Sequence, residues 1–404
     1  MKLTQRTIFC LAIGMLAGLP FSLLAQDSVT MTTITGQQIE MDLESIVDGV
    51  VQGGSEKISL SDLLMIQTDK SIVPERQALL VMLSGGGQIG ASQVTFDGEN
   101  FSLQTPVGQF SVPPDSIKAI LMDVEADRSR FDRALKNRSV EKDSVIALGS
   151  SGQRVVGGLI ESINESKLLL EFDGKSRPIS LNKIVGIVPA DLKPAKPKGQ
   201  IVNLKLTNGS TVTGGIVGLQ SGKLQLVLPG DATIELSLSA VSAISLQSDR
   251  VAYLSDLDPT NSSQNALATI EFAWQRDLSV QLNPIRLYSF ESGKTTEYAK
   301  GIGVHSASRL EFENADDFDR FAAVVGIDAE TQGNGDCEVS LWADGIQLWS
   351  ANITGEGEPQ KVDVPIKGMK TIALVVRNGK YLDLGDHVDW ADARFLKTGD
   401  SSGE

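Results

Sequence analysis

The stretch Ile201-Val202-Asn203-Leu204-Lys205-Leu206-Thr207-Asn208-Gly209-Ser210-Thr211-Val212-Thr213-Gly214 decides the fold of the first half of the chain. Apolar and polar residues alternate on both sides of Asn208-Gly209, a pair suited to the left-handed positions of a tight hairpin turn. The pattern recurs in Leu80-Val81-Met82-Leu83-Ser84-Gly85-Gly86-Gly87-Gln88-Ile89-Gly90 and again from Val145 to Gly158. A third strand follows, as in Lys167-Leu168-Leu169-Leu170 or Lys223-Leu224-Gln225-Leu226-Val227-Leu228. An Ile/Val-rich pair closes each unit: Phe110-Ser111-Val112 with Ile117 and Ile120, Ile179-Ser180-Leu181 with Ile184 and Ile187, Ile234-Glu235-Leu236 with Val241 and Ile244. A weaker copy runs from Val29 to Gln67. The spacing predicts four copies of a five-strand unit, at residues 26–68, 77–122, 143–188 and 200–247.

Strands that alternate in and out along their whole length could curl into a small barrel, which would remove exposed edges. The unit resembles Sm-like or SH3-like small barrels. From residue 26 to 247 there is no His, Cys, Trp or Tyr, so these repeats read as scaffold. Two segments interrupt them. Residues 123–142 read as a charged helical insertion, Phe131 and Leu135 four apart on one face, and the expectation is a solvated spacer. Residues 189–199, with Pro194-Ala195-Lys196-Pro197-Lys198-Gly199, read as an extended linker.

The chain has 404 residues and a formal charge of −15, with 36 basic and 51 acidic side chains. That balance argues against wrapping a nucleic-acid backbone, which needs clustered Lys and Arg. Two histidines and two cysteines leave no room for a Cys-rich zinc module or a disulfide scaffold. At the N-terminus, Lys2 and Arg6 precede an apolar run from Ile8 to Leu19, then Pro20 and the small residue Ala25. This is the pattern of a signal peptide at residues 1–25, and the run falls short of the roughly 20 apolar residues of a membrane span. The expectation is a secreted or periplasmic protein with no transmembrane segment after cleavage. Its only thiol would be Cys337, so each domain would hold together by its core.

Gly85-Gly86-Gly87-Gln88-Ile89-Gly90 satisfies the spelling of a dinucleotide fingerprint, but a strand follows where the phosphate site would need a helix N-terminus. It reads as a hairpin turn. Gly218-Leu219-Gln220-Ser221-Gly222-Lys223 is one residue short of a phosphate loop and lacks the hydroxyl that would hold magnesium.

All four tryptophans, all four tyrosines and both histidines lie beyond residue 250, which marks a domain boundary near Ser248. Within this half, Asp386-His387-Val388-Asp389-Trp390-Ala391-Asp392 packs three carboxylates, an imidazole and an indole into seven residues. A metal would need more ligands, and His305 is the only other imidazole. A catalytic dyad would need a nucleophile, and nothing marks one. Sugar contact, with directional hydrogen bonds beside an apolar ring, stands level with a structural role in which Asp and His cap turns and Trp390 fills the core.

The ordered motifs Tyr298-Ala299-Lys300-Gly301-Ile302-Gly303-Val304-His305-Ser306, Phe321 to Asp328, Asp344-Gly345 and Asp386 to Ala393 closely resemble the NPCBM family of carbohydrate-binding modules, over residues 250–397. The resemblance implies a galactose-binding-like β-sandwich. The strand pattern agrees in Glu338-Val339-Ser340-Leu341-Trp342 and Thr371-Ile372-Ala373-Leu374-Val375-Val376. The expected fold class is therefore all-β: an N-terminal array of small five-stranded barrel-like repeats, then that sandwich. Family membership implies a glycan as partner, and His305, Asp386, His387 and Trp390 are the motif positions to contact it, with Arg309 and Arg286 as nearby hydrogen-bond candidates. The two imidazoles and the Trp390 indole are expected to share one solvent-facing patch. No cofactor is required, although the acidic loop with Asp316, Asp317 and Asp319 is a weak candidate for structural calcium. Three functions follow: an exported non-catalytic glycan binder, an envelope protein whose repeats bind another protein, and, least favoured, a glycoside hydrolase.

Overall fold

A computed structural model describes residues 27–265, 272–380 and 382–398, so the expected signal peptide and Cys10 lie outside the described residues. Among them the chain is all-β apart from one eight-residue helix, Ser129–Lys136, and six 3-10 turns.

The quoted stretch forms strands Gln200–Leu206 and Thr211–Gln220, paired antiparallel around Gly209, whose φ is 86°. The next strand, Lys223–Val227, pairs with the second, and Thr233–Ser237 pairs with the third. A 3-10 turn at Leu238–Ala240 swings the chain over so that Val241–Leu246 returns to the first strand. The same order holds around strands Asp27–Thr33, Leu79–Leu83 and Asp143–Gly149, each of which pairs with the second and fifth strands of its own unit. The second strand is bent. It breaks in two in the first and second repeats, and continues through a register shift in the third and fourth.

No ladder joins the fourth strand to the fifth among the described residues, so the sheets curl without closing into barrels. The edges are covered by neighbours instead. The fifth strands of repeats two and three pair through Ile120↔Ile187 and Leu121↔Gly186, and those of repeats one and four through Ile244↔Ile66 and its neighbours. Bent second strands join the same two couples, at Ile163↔Phe96 and Leu219↔Ile46. Repeats two and four then meet through Thr211↔Gln88 and Val212↔Gly87. The spatial order is three, two, four, one, with a continuous apolar core from Val29 to Leu246.

The helix is no solvated spacer. Phe131 is wholly buried, against Ala119, Leu121, Ile146, Val185 and Val188, and covers the back of the paired fifth strands of repeats two and three. Strand Ile184–Val188 is consequently buried at every residue. Gly186 makes the fit, since a Cβ there would lie 2.4 Å from Cδ2 of Phe131.

The C-terminal sandwich has a six-stranded sheet whose centre is His387–Leu396, flanked by Gly301–His305 and Arg320–Ile327. The facing five-stranded sheet runs Asn261–Gln264, Ser308–Glu313, Thr371–Asn378, Asp336–Ala343, Ile346–Thr354. The sandwich rests on the first repeat, where Ile34 packs with Ala322 and Leu396 and the Arg250 guanidinium meets Asp62.

Candidate functional site

His305 closes one strand and His387 opens the next, and the two residues are direct cross-strand partners. Their rings therefore emerge on one face, with centroids 5.6 Å apart. Phe272 stacks on His305 at 4.7 Å, its ring planes 23° apart, and tilts against His387 at 5.5 Å. Phe272 is half-buried, while both imidazoles are almost covered.

Each Nδ1 has a partner. That of His305 donates to the carbonyl oxygen of Ser306 at 2.6 Å, which fixes the tautomer and leaves Nε2 as an acceptor. Nδ1 of His387 lies 2.8 Å from Oε1 of Glu330. Neither Nε2 has a protein partner among the described residues. Glu330 comes from the 3-10 turn Ala329–Thr331, which Asp328 caps by accepting from the Glu330 N–H at 2.7 Å. Its other oxygen accepts from Oγ of Ser279 at 2.6 Å and Nδ2 of Asn283 at 2.9 Å. Burial alone would raise the Glu330 carboxyl, but these hydrogen bonds and His387 outweigh it and hold the group below its ordinary value.

Asp389 lies deeper and is sealed. Neither carboxyl oxygen finds a donor among the described residues, and the Asp328 carboxylate is its neighbour. Burial, then Asp328 and Glu330, push the Asp389 carboxyl well up, which favours its neutral form in the fold. A carboxyl that is neutral in the folded state and ionised in the unfolded one loses stability for the fold as pH rises from the unfolded value upward. Asp389→Asn is neutral at every pH and carries no such penalty. Its melting temperature relative to the parent is therefore expected to climb between pH 4 and pH 8, and a difference independent of pH would contradict a neutral buried carboxyl.

Asp386 does not face solvent. Its carboxylate accepts from Oγ of Ser306 at 2.7 Å and from the N–H of Asp336 at 2.9 Å, tying the two loops on either side of the histidines. Trp390 is 0% exposed, edge-on to Phe321 and to Trp349, each at 6.3 Å. It offers no stacking face, because the central strand that carries it is covered on both sides. Here the expected patch loses its indole. Arg309 lies four residues from His305 but on the other sheet, paired with Glu311 at 2.6 Å. Together with Trp342, Asp344, Thr371 and Ala373 it lines a separate open cleft of about 350 Å³. Among the described residues Arg286 meets the site through its backbone N–H, which donates to Asp328 at 2.9 Å.

The acidic loop does not gather around a cation. Asp319 accepts from the N–H and hydroxyl of Thr398, each at 3.0 Å, and Asp317 faces Lys370 at 3.4 Å. Among the described residues no three His, Cys, Asp or Glu side chains converge as a metal site. Sequence reasoning missed Phe272 and Glu330. Neither belongs to a motif, and only the folding of two distant loops brings them to the imidazoles.

Residues 250–396 match the family model described as the NPCBM/NEW2 domain. A protein of Renibacterium salmoninarum named "Putative endo-alpha-N-acetylgalactosaminidase" is 32% identical over 100 residues, covering 24% of this chain. The match spans only 7% of that protein's length. Among solved structures, the CBM51 of Clostridium perfringens GH95 in complex with methyl-galactose is 29% identical, with a TM-score of 0.34; 36% of this chain and 99% of that one are covered. The tandem CBM51 modules of the family 98 glycoside hydrolase from Streptococcus pneumoniae are 14% identical, with a TM-score of 0.33, covering 92% and 100%.

Proposed function

We propose that the C-terminal module binds a glycan at the end of the sandwich where Phe272, His305 and His387 meet. The family match of residues 250–396 is the premise, and one observation carries the placement. Two cross-paired imidazoles have their Nδ1 atoms occupied and their Nε2 atoms unpartnered, beside a half-buried aromatic ring. An acceptor nitrogen accepts a hydrogen bond from a sugar hydroxyl, and an aromatic face covers the C–H side of a pyranose. Glu330 is engaged by His387, which suits a neutral sugar.

The module reads as non-catalytic. A glycosidase presents two carboxyl groups to the scissile bond, whereas Asp328 and Asp389 are each 1% exposed and Glu330 is held by three donors. Export to the periplasm or beyond is part of the same proposal, supported by the charged, apolar and small-residue order of residues 1–25. Among the described residues no helix is long and apolar enough to cross a membrane.

Calorimetric titration of the full chain against a panel of neutral monosaccharides and short glycans tests the site. Phe272→Ala is expected to weaken binding about three- to tenfold, the worth of one aromatic contact, and His305→Ala to weaken it as well. Silence across the panel would sink the reading. A second reading rests on the open cleft, where Trp342 stands beside the Arg309–Glu311 pair. Binding lost in Trp342→Ala but kept in both other variants would move the site there.

A further inference from the structure

We propose that the third repeat is a self-association surface, through which two copies of this chain join by the same contact that joins repeats two and four inside one copy. The argument starts from register. In each repeat the fifth strand meets the first across a bulge, at Ile117↔Leu83, Val241↔Leu206 and Ile184↔Ala147 in repeats two, four and three. One residue back along the first strand stand Met82, Lys205 and Ile146, whose partners on the second strand are Gln88, Thr211 and Val155. Gln88, Thr211 and Val155 are therefore equivalent positions.

Repeats two and four pair at this very position, Gln88 opposite Thr211, through the free edges of their second strands. Equivalent residues opposite each other make a local twofold contact, the arrangement that closes on itself between two identical units. Around it, Gln88 N–H donates to Oγ1 of Thr211 at 3.2 Å, Gly90 N–H to Oγ of Ser210 at 3.2 Å, and Oγ of Ser116 to the Pro229 carbonyl at 2.6 Å. Ile89 and Val212, which follow the paired position, are buried, as are the fourth-strand residues Phe110 and Ile234.

In the third repeat the same edge has no strand partner beyond its own hairpin among the described residues. The repeat opens there into a groove of about 490 Å³, lined by Val155, Val156, Leu170, Phe172, Pro178 and Ile179, with the Arg177 guanidinium over the Phe172 ring. Val155 is 46% exposed and Phe172 37%, and Leu148 and Leu159 are exposed as well. Across repeats two and four, Val217 is the only large apolar side chain left that open among the described residues. Composition fits the difference. Repeats one, two and four carry Gln38, Gln88 and Thr211 at the equivalent position, and only the third repeat places an apolar residue there. An open apolar strand edge is a pairing site that a chain must cover or pay for in aggregation. A second copy of the same edge is placed to cover it, as the edges of repeats two and four cover each other at the equivalent position. The repeat at the other end of the array presents Gln38 and Glu40 instead, which makes pairing of third repeat with third repeat the favoured closure.

Copying the internal register onto two third repeats puts Val155 directly opposite its counterpart in the partner copy. Cross-strand Cα separations of 4.5–5.5 Å lie within disulfide range, so ~5 Å is expected there. The experiment uses the full chain carrying Cys10→Ser, in which Cys337 is buried and silent. Sedimentation velocity at micromolar to 100-micromolar concentrations is expected to show a dimer, and Val155→Asp to give a monomer with unchanged circular dichroism. Val155→Cys is expected to form a disulfide-linked dimer under mild oxidation, whereas Val217→Cys, equally exposed on the fourth repeat, is not. A parent that stays monomeric throughout, association that survives Val155→Asp, or equal cross-linking at Val217 would each overturn the proposal.

Discussion

Replacing Glu330 by alanine is expected to destabilise the protein by about 2–4 kcal/mol, because a buried donor left without an acceptor costs about 1–3 kcal/mol. The Glu330 side chain is only 5% exposed and satisfies three donors at once, on His387, Ser279 and Asn283. Alanine leaves all three without an acceptor, which is worse than never having buried them. Glu330→Gln keeps one acceptor oxygen and should lose less. The pH dependence gives the argument its sign. The folded carboxyl sits below the ordinary value of 4.5, so its contribution is present above that value and is lost as pH falls through the folded one. The stability gap between parent and Glu330→Gln, read from urea melts, is therefore expected to be full at pH 7 and to shrink below pH 4. A gap under about 1 kcal/mol at pH 7, the scale of exposed ion pairs, would mean that the three donors find other partners. Because Glu330 also orients His387, glycan affinity should fall in Glu330→Gln even where the fold survives.

The second large effect concerns the helix. Phe131→Ala is expected to cost about 3–5 kcal/mol, the range for emptying a fully buried aromatic site. The ring fills the space over the paired fifth strands of repeats two and three, so its loss weakens the junction between two repeats as well as the helix. Gly186→Ala approaches the same contact from the other side. Its Cβ would stand 2.4 Å from the ring and 3.2 Å from the Ile120 carbonyl oxygen, so something must shift. Overpacking of this kind costs about 1–3 kcal/mol. In the double variant the ring is gone and the new methyl has room, so the two losses should fall short of additive in denaturant melts. Full additivity would show that the methyl meets its resistance from the backbone alone.

Much of the architecture was legible because it is written at short range. Period-two alternation on either side of Asn208-Gly209 specifies a hairpin, and the turn glycine adopts the positive φ the pair predicts. The pairing of fifth strands was not legible. Ile184 to Val188 is apolar at four of five positions, which says that both faces are covered but not by what. The exposed-spacer reading of the helix failed for a related reason: charge counts described its outer face, and Gly186, which admits Phe131, lies fifty-five residues away.

The candidate site divides along the same line. His305 and His387 came from ordered motifs, and their register as cross-strand partners brings them together. Trp390 stands in a strand buried at nine of its ten residues, where alternation cannot distinguish a ring that faces ligand from one that fills the core. Phe272 and Glu330 sit outside the main sheets of the sandwich, and nothing local announces where such residues will land.

The first repeat borrows its last neighbour from the fourth. Its closing strand pairs with Val241–Leu246, and Oγ1 of Thr68 donates to the Val241 carbonyl at 2.8 Å, across 173 positions. Repeats two and three are wholly contained in that span, so the array is nested, with an outer couple clasping an inner one. A ribosome delivers the outer half-couple first and its mate last. The newborn chain must therefore carry an unclasped strand while the next 173 residues are made, a burden that falls on whatever escorts it until the clasp can shut.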